Sequence, residues 1–174
     1  MNPRFGCVFP YAALALVFSG CGPATHPAPV GKKEPVLVAA VEKGTAEKPR
    51  AVGIEVGDGM AFSVTRLEVA SGEVIRLKLV NLGSAPKEAM GHNWVLLRGG
   101  ADEAAFLKAA LGAKATDYVP SSRAGDVIAH TKLIGGGGSD ALVFTVPAAP
   151  GDYVYLCSFP AHCQLGMRGV LVVR

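Results

Sequence analysis

The stretch Val74-Ile75-Arg76-Leu77-Lys78-Leu79-Val80 decides the fold class. Ile75, Leu77 and Leu79 alternate with Arg76 and Lys78, a period of two that puts the apolar side chains on one face of a strand and the charges on the other. Working outward, the same signal recurs at 52–56, 62–69, 93–97, 126–133, 141–146, 152–157 and 169–173. Turn-forming clusters separate these runs: Gly57-Asp58-Gly59, Ser71-Gly72, Gly83-Ser84, Gly135 to Ser139 and Pro147 to Gly151. Gly135 to Gly138 follows a strand but opens no helix, so it reads as a hairpin turn and not a nucleotide loop. One segment breaks the pattern. Residues 102–111 open with Asp102 and Glu103, suited to the positive end of a helix, and stop at Gly112. About eight short strands with one helical insertion predict an all-β, antiparallel Greek-key β-sandwich over residues 51–174.

Upstream of that domain the composition changes twice. Residues 1–20 hold a single charge, Arg4, and then an apolar run through Tyr11, Leu14, Leu16, Val17 and Phe18. The run is short for a membrane span and ends in Ser19-Gly20 before Cys21, the layout of a secretory signal peptide. Ser19-Gly20-Cys21 also resembles the cleavage box of bacterial lipoproteins, with Phe18 where Leu is usual, which implies lipidation at Cys21. Ordinary cleavage nearby, leaving Cys21 free, is the alternative. Residues 21–50 carry Pro23, Pro27, Pro29, Pro35 and Pro49 among small and charged residues and read as a semi-extended tether, Val36 to Val41 included. The expected protein is therefore exported and periplasmic, held to a membrane by a lipid anchor and not by a span.

The whole chain has 174 residues, 50% of them hydrophobic, and 17 Lys and Arg against 14 Asp and Glu. Arg4 belongs to the signal, and the tether holds five basic and three acidic residues, so the domain carries 11 of each and is formally neutral. A neutral domain excludes an electrostatic nucleic-acid binder, and docking to a partner should depend little on salt.

Chemistry concentrates near the C-terminus. Cys7 lies in the signal and Cys21 at its end, leaving Cys157 and Cys163 in the domain. A Cys157–Cys163 disulfide is one reading. In the other, Cys157, His162 and Met167, spaced at intervals of five between two strands, gather a thiolate, an imidazole and a thioether at one point. Such a soft set suits copper better than zinc, calcium or magnesium. Trigonal His2Cys copper with a weak Met needs a second histidine, and His92 in Met90-Gly91-His92-Asn93-Trp94 is the best placed. His130 alternates with Lys132 and should face solvent, while His26 lies in the tether. Trp94 reads as core. Cys163 is read as a spectator, because thiol catalysis needs a positioned acid and base that the sequence does not supply.

Met90 to Leu96, Ala129 to Gly135 and Cys157-Ser158-Phe159-Pro160-Ala161-His162, with Met60-Ala61-Phe62 upstream, together resemble the azurins, small type 1 (blue) copper proteins of the cupredoxin fold. The resemblance covers 51–174. It implies one type 1 copper ion with His92, Cys157 and His162 as equatorial ligands, Met167 as axial ligand and the Gly91 carbonyl as a distant fifth. It further implies backbone N–H donors to the Cys157 sulfur from Asn93 and Phe159. Asn93 could also tie the His92 strand to the ligand loop through its side chain. Met90, Phe159, Pro160, Ala161 and Leu165 could form an exposed apolar rim, on which a redox partner (a c-type cytochrome, or a copper or haem reductase) would dock near His162; the alternative is that most of them only pack the loop. The chain departs from azurins in four places. The His162-to-Met167 interval is one residue longer and matches auracyanins and plastocyanins; the N-terminal disulfide has no cysteines; Asn81 to Pro86 is short and lacks a histidine; and Cys163 stands where a serine or similar small residue is common. The implied function is a non-enzymatic, membrane-tethered electron carrier cycling Cu(I) and Cu(II). A copper-delivering lipoprotein and a disulfide-bearing adhesion sandwich are the competing readings.

Overall fold

A computed structural model describes residues 42–174. The expectations for the signal peptide, for Cys21 and for most of the tether, including His26 and Val36 to Val41, concern residues 1–41 and lie outside the described residues.

All the expected strands form, several with altered ends: β1 (Arg50–Val56), β2 (Arg66–Val69), β3 (Val74–Asn81), β4 (Val95–Leu97), β5 (Val127–His130), β6 (Ser139–Thr145), β7 (Gly151–Leu156) and β8 (Arg168–Val173). They make a three-stranded sheet in the order β1-β3-β6 and a five-stranded sheet in the order β2-β8-β7-β4-β5. The sandwich is as expected, but the pairing is mixed. β1 runs parallel to β3, and β2 parallel to β8, because the chain crosses to the other sheet between β1 and β3 instead of turning back in a hairpin. The Gly135 to Gly138 segment is corrected for the same reason. It carries the chain from β5 to β6 in the opposite sheet, and Gly137 and Gly138 are tied by backbone bonds to Asn81.

The core follows from the alternation. In β3, Ile75, Leu77 and Leu79 are buried while Arg76 and Lys78 are exposed. Each buried aliphatic side chain contributes roughly 2 kcal/mol of transfer free energy. Opposite them lie Leu96, Tyr155, Leu171 and Val173 of the five-stranded sheet and Trp94 just before β4, in one apolar cluster with Ile54 and Phe144. Trp94 sits between Phe144 and Tyr155, with ring centroids 5.6 and 5.5 Å away. β4 is buried on both faces, which explains why Val95-Leu96-Leu97 shows no alternation. Its outer side chains, Val95 and Leu97, pack with Leu156 and Cys163 beneath Phe106 of α2 (Glu103–Ala110), the expected helical insertion. The Asp102 side chain caps α2 by accepting from the Ala105 N–H. Further short helical segments were not foreseen: α1 (Lys87–Met90) and two 3-10 turns at Lys114–Thr116 and Ser121–Asp126.

The packed sandwich begins before residue 51. Gly44 is buried; its N–H donates to the Glu73 carboxylate and its carbonyl accepts from Val74. The Arg50 Nε donates to the same carboxylate at 3.2 Å, so the segment expected as the end of the tether is fastened to the residue that leads into β3.

Candidate metal centre

Two separate stretches of backbone converge at one end of the sandwich. The first is the entry to β4. His92 and Ile134 exchange both backbone hydrogen bonds at 2.9 Å, forming a lone bridge beyond the end of β5. Two residues on, Trp94 N–H donates to Thr131 Oγ1 at 2.9 Å and its carbonyl accepts from Thr131 N–H at 3.0 Å. Thr131 and Ile134 thus hold the backbone on both sides of Asn93. Gly91, just before His92, has no room for a side chain: a Cβ there would stand 2.5 Å from the Lys87 carbonyl and 2.8 Å from Leu133.

The second stretch is the loop from Cys157 to Met167, between the paired ends of β7 and β8. Cys157 N–H donates to the Met167 carbonyl (3.1 Å), Met167 N–H to His162 (3.0 Å) and His162 N–H to Phe159 (3.1 Å). Residues at intervals of five are therefore drawn together by the loop's own turns. Ala161 closes one turn at φ 68°, a conformation costly for a residue with a Cβ.

The donor atoms of His92, Cys157 and His162 all lie within 4.8 Å of one another, and all three residues are buried. Cys157 Sγ is 3.5 Å from His162 Nδ1, and the two imidazole rings are 4.8 Å apart. Both ring nitrogens of His92 are buried without a hydrogen-bond partner. An orphaned, buried imidazole facing a thiol and a second imidazole is the donor chemistry a soft metal ion satisfies, so these residues fit copper. Met167 is fully buried in the same apolar cluster as Cys157.

Electrostatics keep both imidazoles neutral. Burial pushes His162 down to about 4, helped by neighbouring His92. Burial likewise lowers His92, against a partial offset from the Asp58 charge and from the Gly57 carbonyl, which is near the ring but outside hydrogen-bonding geometry. Burial pushes the Cys157 thiol up to about 11, with a partial offset from the nearby backbone N–H groups of Asn93 and Phe159.

Asn93, fully buried, joins the two stretches. Its Nδ2 donates to Ser158 Oγ and to the Asp117 carbonyl, both at 2.8 Å, and its Oδ1 accepts from Ser158 N–H at 2.9 Å. Of the expected rim, Ala161 and Leu165 are exposed, Leu165 by 62%, whereas Met90, Pro160 and Phe159 are half-buried. His130 is exposed and Trp94 fully buried, as read from the sequence. Cys157 and Cys163 are free thiols, which removes the disulfide alternative. Sequence reasoning missed Thr131, Ser158 and Glu103. Ser158 could have been found from its place beside Cys157. The other two act from segments distant in sequence, and no local pattern marks them.

A sandwich that buries a His-Cys-His group between the entry to one strand and the loop joining two others defines a cupredoxin-type metal-binding domain. Residues 49–174 match the family of copper binding proteins described as the plastocyanin/azurin family, and the chain belongs to it. Azurin-2 of Alcaligenes xylosoxydans xylosoxydans is 44% identical over 124 residues, covering 68% of this chain and 92% of that protein. Auracyanin-B of Chloroflexus aurantiacus is 38% identical over 117 residues, 67% of this chain; the match spans about half of that relative's length (48%). The solved structure of auracyanin A, a "blue" copper protein of Chloroflexus aurantiacus, aligns with a TM-score of 0.63 at 37% identity, covering 72% of this chain and 99% of that one. The resemblance read from the sequence is borne out, with copper as the metal of the family.

Proposed function

We propose that the protein is an electron carrier working outside the cytoplasm, with one type 1 copper ion held by His92, Cys157 and His162. Met167, buried in the same apolar cluster as Cys157, and the Gly91 carbonyl would complete the donor set. The observation that carries the reading is the buried, mutually facing group of His92, Cys157 and His162, in which His92 has no other partner. Bound copper supplies a one-electron couple between Cu(I) and Cu(II). The protein's part is to hold the donors still. His92 is fixed by its backbone bridge to Ile134, Cys157 and Met167 by their mutual backbone bond, and the two stretches by Asn93. The N–H groups of Asn93 and Phe159 draw electron density from the Cys157 sulfur and so tune the potential. Exclusion of water follows from burial of all three side chains. Exposed Leu165 and Ala161, with half-buried Pro160 and Met90, form the surface on which a c-type cytochrome or a copper or haem reductase docks near His162.

Export by residues 1–20 and lipidation of Cys21 would place this domain at a bacterial membrane on the tether that follows. Among the described residues no helix is long and apolar enough to cross a bilayer. Visible and electron paramagnetic resonance spectra of the Cu(II) form test the centre: an intense blue band that disappears in Cys157→Ser is expected, and a colourless wild-type complex refutes it. Mass spectrometry of the membrane-extracted protein tests the anchor, through a diacylglyceryl adduct on a chain beginning at Cys21.

A further inference from the structure

The loop bearing Cys157, His162 and Met167 is held from outside by few polar side chains. Asn93 takes its first half through Ser158. Its second half, 163–168, carries the two residues that immediately follow His162 and Met167, namely Cys163 and Arg168. Both end on one carboxylate. Glu103 Oε1 accepts from Cys163 Sγ at 3.4 Å, and Oε2 accepts from Arg168 Nη2 at 3.0 Å. Among the described residues no other side chain bonds to both.

Glu103 is itself firmly placed. It begins α2 directly after the capping Asp102, and one turn on Phe106 is fully buried against Val95, Leu97, Leu156 and Cys163. Cys163 is buried, so its thiol reaches Glu103 from within that cluster and not across solvent. The residues flanking the metal donors are thus attached to a helix anchored on β4, the strand that His92 leads into.

We infer that Glu103 is a positioning residue for the metal centre, its carboxylate clamping Cys163 and Arg168 so that α2 fixes where the loop holds His162 and Met167. The inference rests on the proposed function of the centre, and it gives the helical insertion and Cys163 roles beyond covering a sheet face. The carboxylate is suited to the task because its two oxygens grip two points at once, while the Arg168 guanidinium balances its charge.

Native-state hydrogen exchange on the full, metal-free chain tests the clamp without reference to copper. The reporters are the amides of Leu165, Gly166 and Met167, which bond inside the loop to Ala161, Cys163 and His162. The controls are the amides of Leu77 and Leu79 in β3. Glu103→Ala is expected to speed exchange at the loop amides about fivefold, through the loss of both attachments of a partly exposed carboxylate, with the β3 amides unchanged. Glu103→Gln, which keeps the shape and one acceptor, should show a smaller effect. In the copper-loaded protein Glu103→Ala should change the copper hyperfine splitting and the reduction potential, with partial rescue in Glu103→Gln. Unchanged loop exchange overturns the clamp, as does equal acceleration at loop and β3, which marks general destabilisation. Loop-selective acceleration in a protein whose copper form is colourless supports the clamp and refutes the proposed function alone.

Discussion

Removing the Asn93 side chain should cost more stability than any other single polar truncation at the centre. Asn93→Ala deletes three hydrogen bonds, to the Asp117 carbonyl, Ser158 Oγ and Ser158 N–H, all between 2.8 and 2.9 Å. Asn93 is fully buried and Ser158 is 2% exposed, so water cannot replace the lost partners without rearrangement. At a net of about 1 kcal/mol per bond, plus part of the penalty for stranding the Ser158 N–H, the expected loss is about 3–4 kcal/mol. With a urea m-value of about 2 kcal/mol/M, the unfolding midpoint of the metal-free protein should fall by roughly 2 M at unchanged slope. Ser158→Ala removes only the hydroxyl contact and should cost about 1 kcal/mol. The double variant should then lose less than the sum of the two, by about 1 kcal/mol, because the Asn93–Ser158 bond is counted in both singles. A loss below about 1 kcal/mol for Asn93→Ala, or strict additivity with Ser158→Ala, would show that the side chain does not tie the two stretches, and the account of the centre's rigidity would fall.

Burial pushes the Glu73 carboxyl up, but the Arg50 guanidinium and the N–H groups of Gly44 and Ala70 outweigh it and hold it below the ordinary value. A depressed folded pKa gives stability that is present above the unfolded pKa and lost as pH falls through the folded one, so denaturation midpoints should drop on acidification below about pH 4.5, and Glu73→Gln should flatten that fall. A Cβ on Gly169 would overlap the Tyr155 ring at 2.3–2.5 Å, so Gly169→Ala should destabilise by about 1–3 kcal/mol in thermal unfolding; an unchanged melting temperature would contradict the packing described. Ala161 sits at φ 68°, and Ala161→Gly should therefore stabilise the loop by up to about 1 kcal/mol in the same assay despite removing an apolar atom. Leu165→Glu should leave the copper spectrum intact and slow electron exchange with a partner protein severalfold, while exchange with a small inorganic oxidant changes little; equal slowing of both would place the partner elsewhere.

The fold was legible wherever one face of a strand is wet. β3 announced itself through Arg76 and Lys78, and α2 through Asp102 and Gly112 at its ends. Strand direction was not legible, because pairing partners depend on where the chain crosses between sheets. Gly135 to Gly138 has the composition of a hairpin but spans the sandwich. The domain edge was missed by several residues because Pro49 and the charges around it look like a tether, and only Glu73 reveals that Gly44 and Arg50 are its partners. The facing group of His92, Cys157 and His162 was readable from two short motifs, Met90 to Leu96 and Cys157 to His162. Their supports, Thr131 and Glu103, were not, since each acts across a gap of dozens of residues (Thr131 on Trp94, Glu103 on Cys163).

The centre gains nothing for the fold on its own. Two neutral imidazoles and a protonated thiol are kept from water, and both nitrogens of His92 lack partners, an arrangement that costs about 1–3 kcal/mol for each stranded polar group. Replacing His92 by an apolar residue of similar volume would satisfy the packing better. The sandwich holds these groups together and away from solvent because β4, α2 and the loop are fastened independently of them, through Thr131, Asn93 and the apolar cluster under Phe106. That independence makes the geometry a property of the scaffold. A cation meeting the three donors needs little rearrangement of them, and a change of one unit in its charge gives the surrounding backbone little reason to move. For an electron carrier this is the useful outcome, since the barrier to exchange falls as the reorganisation between oxidation states shrinks.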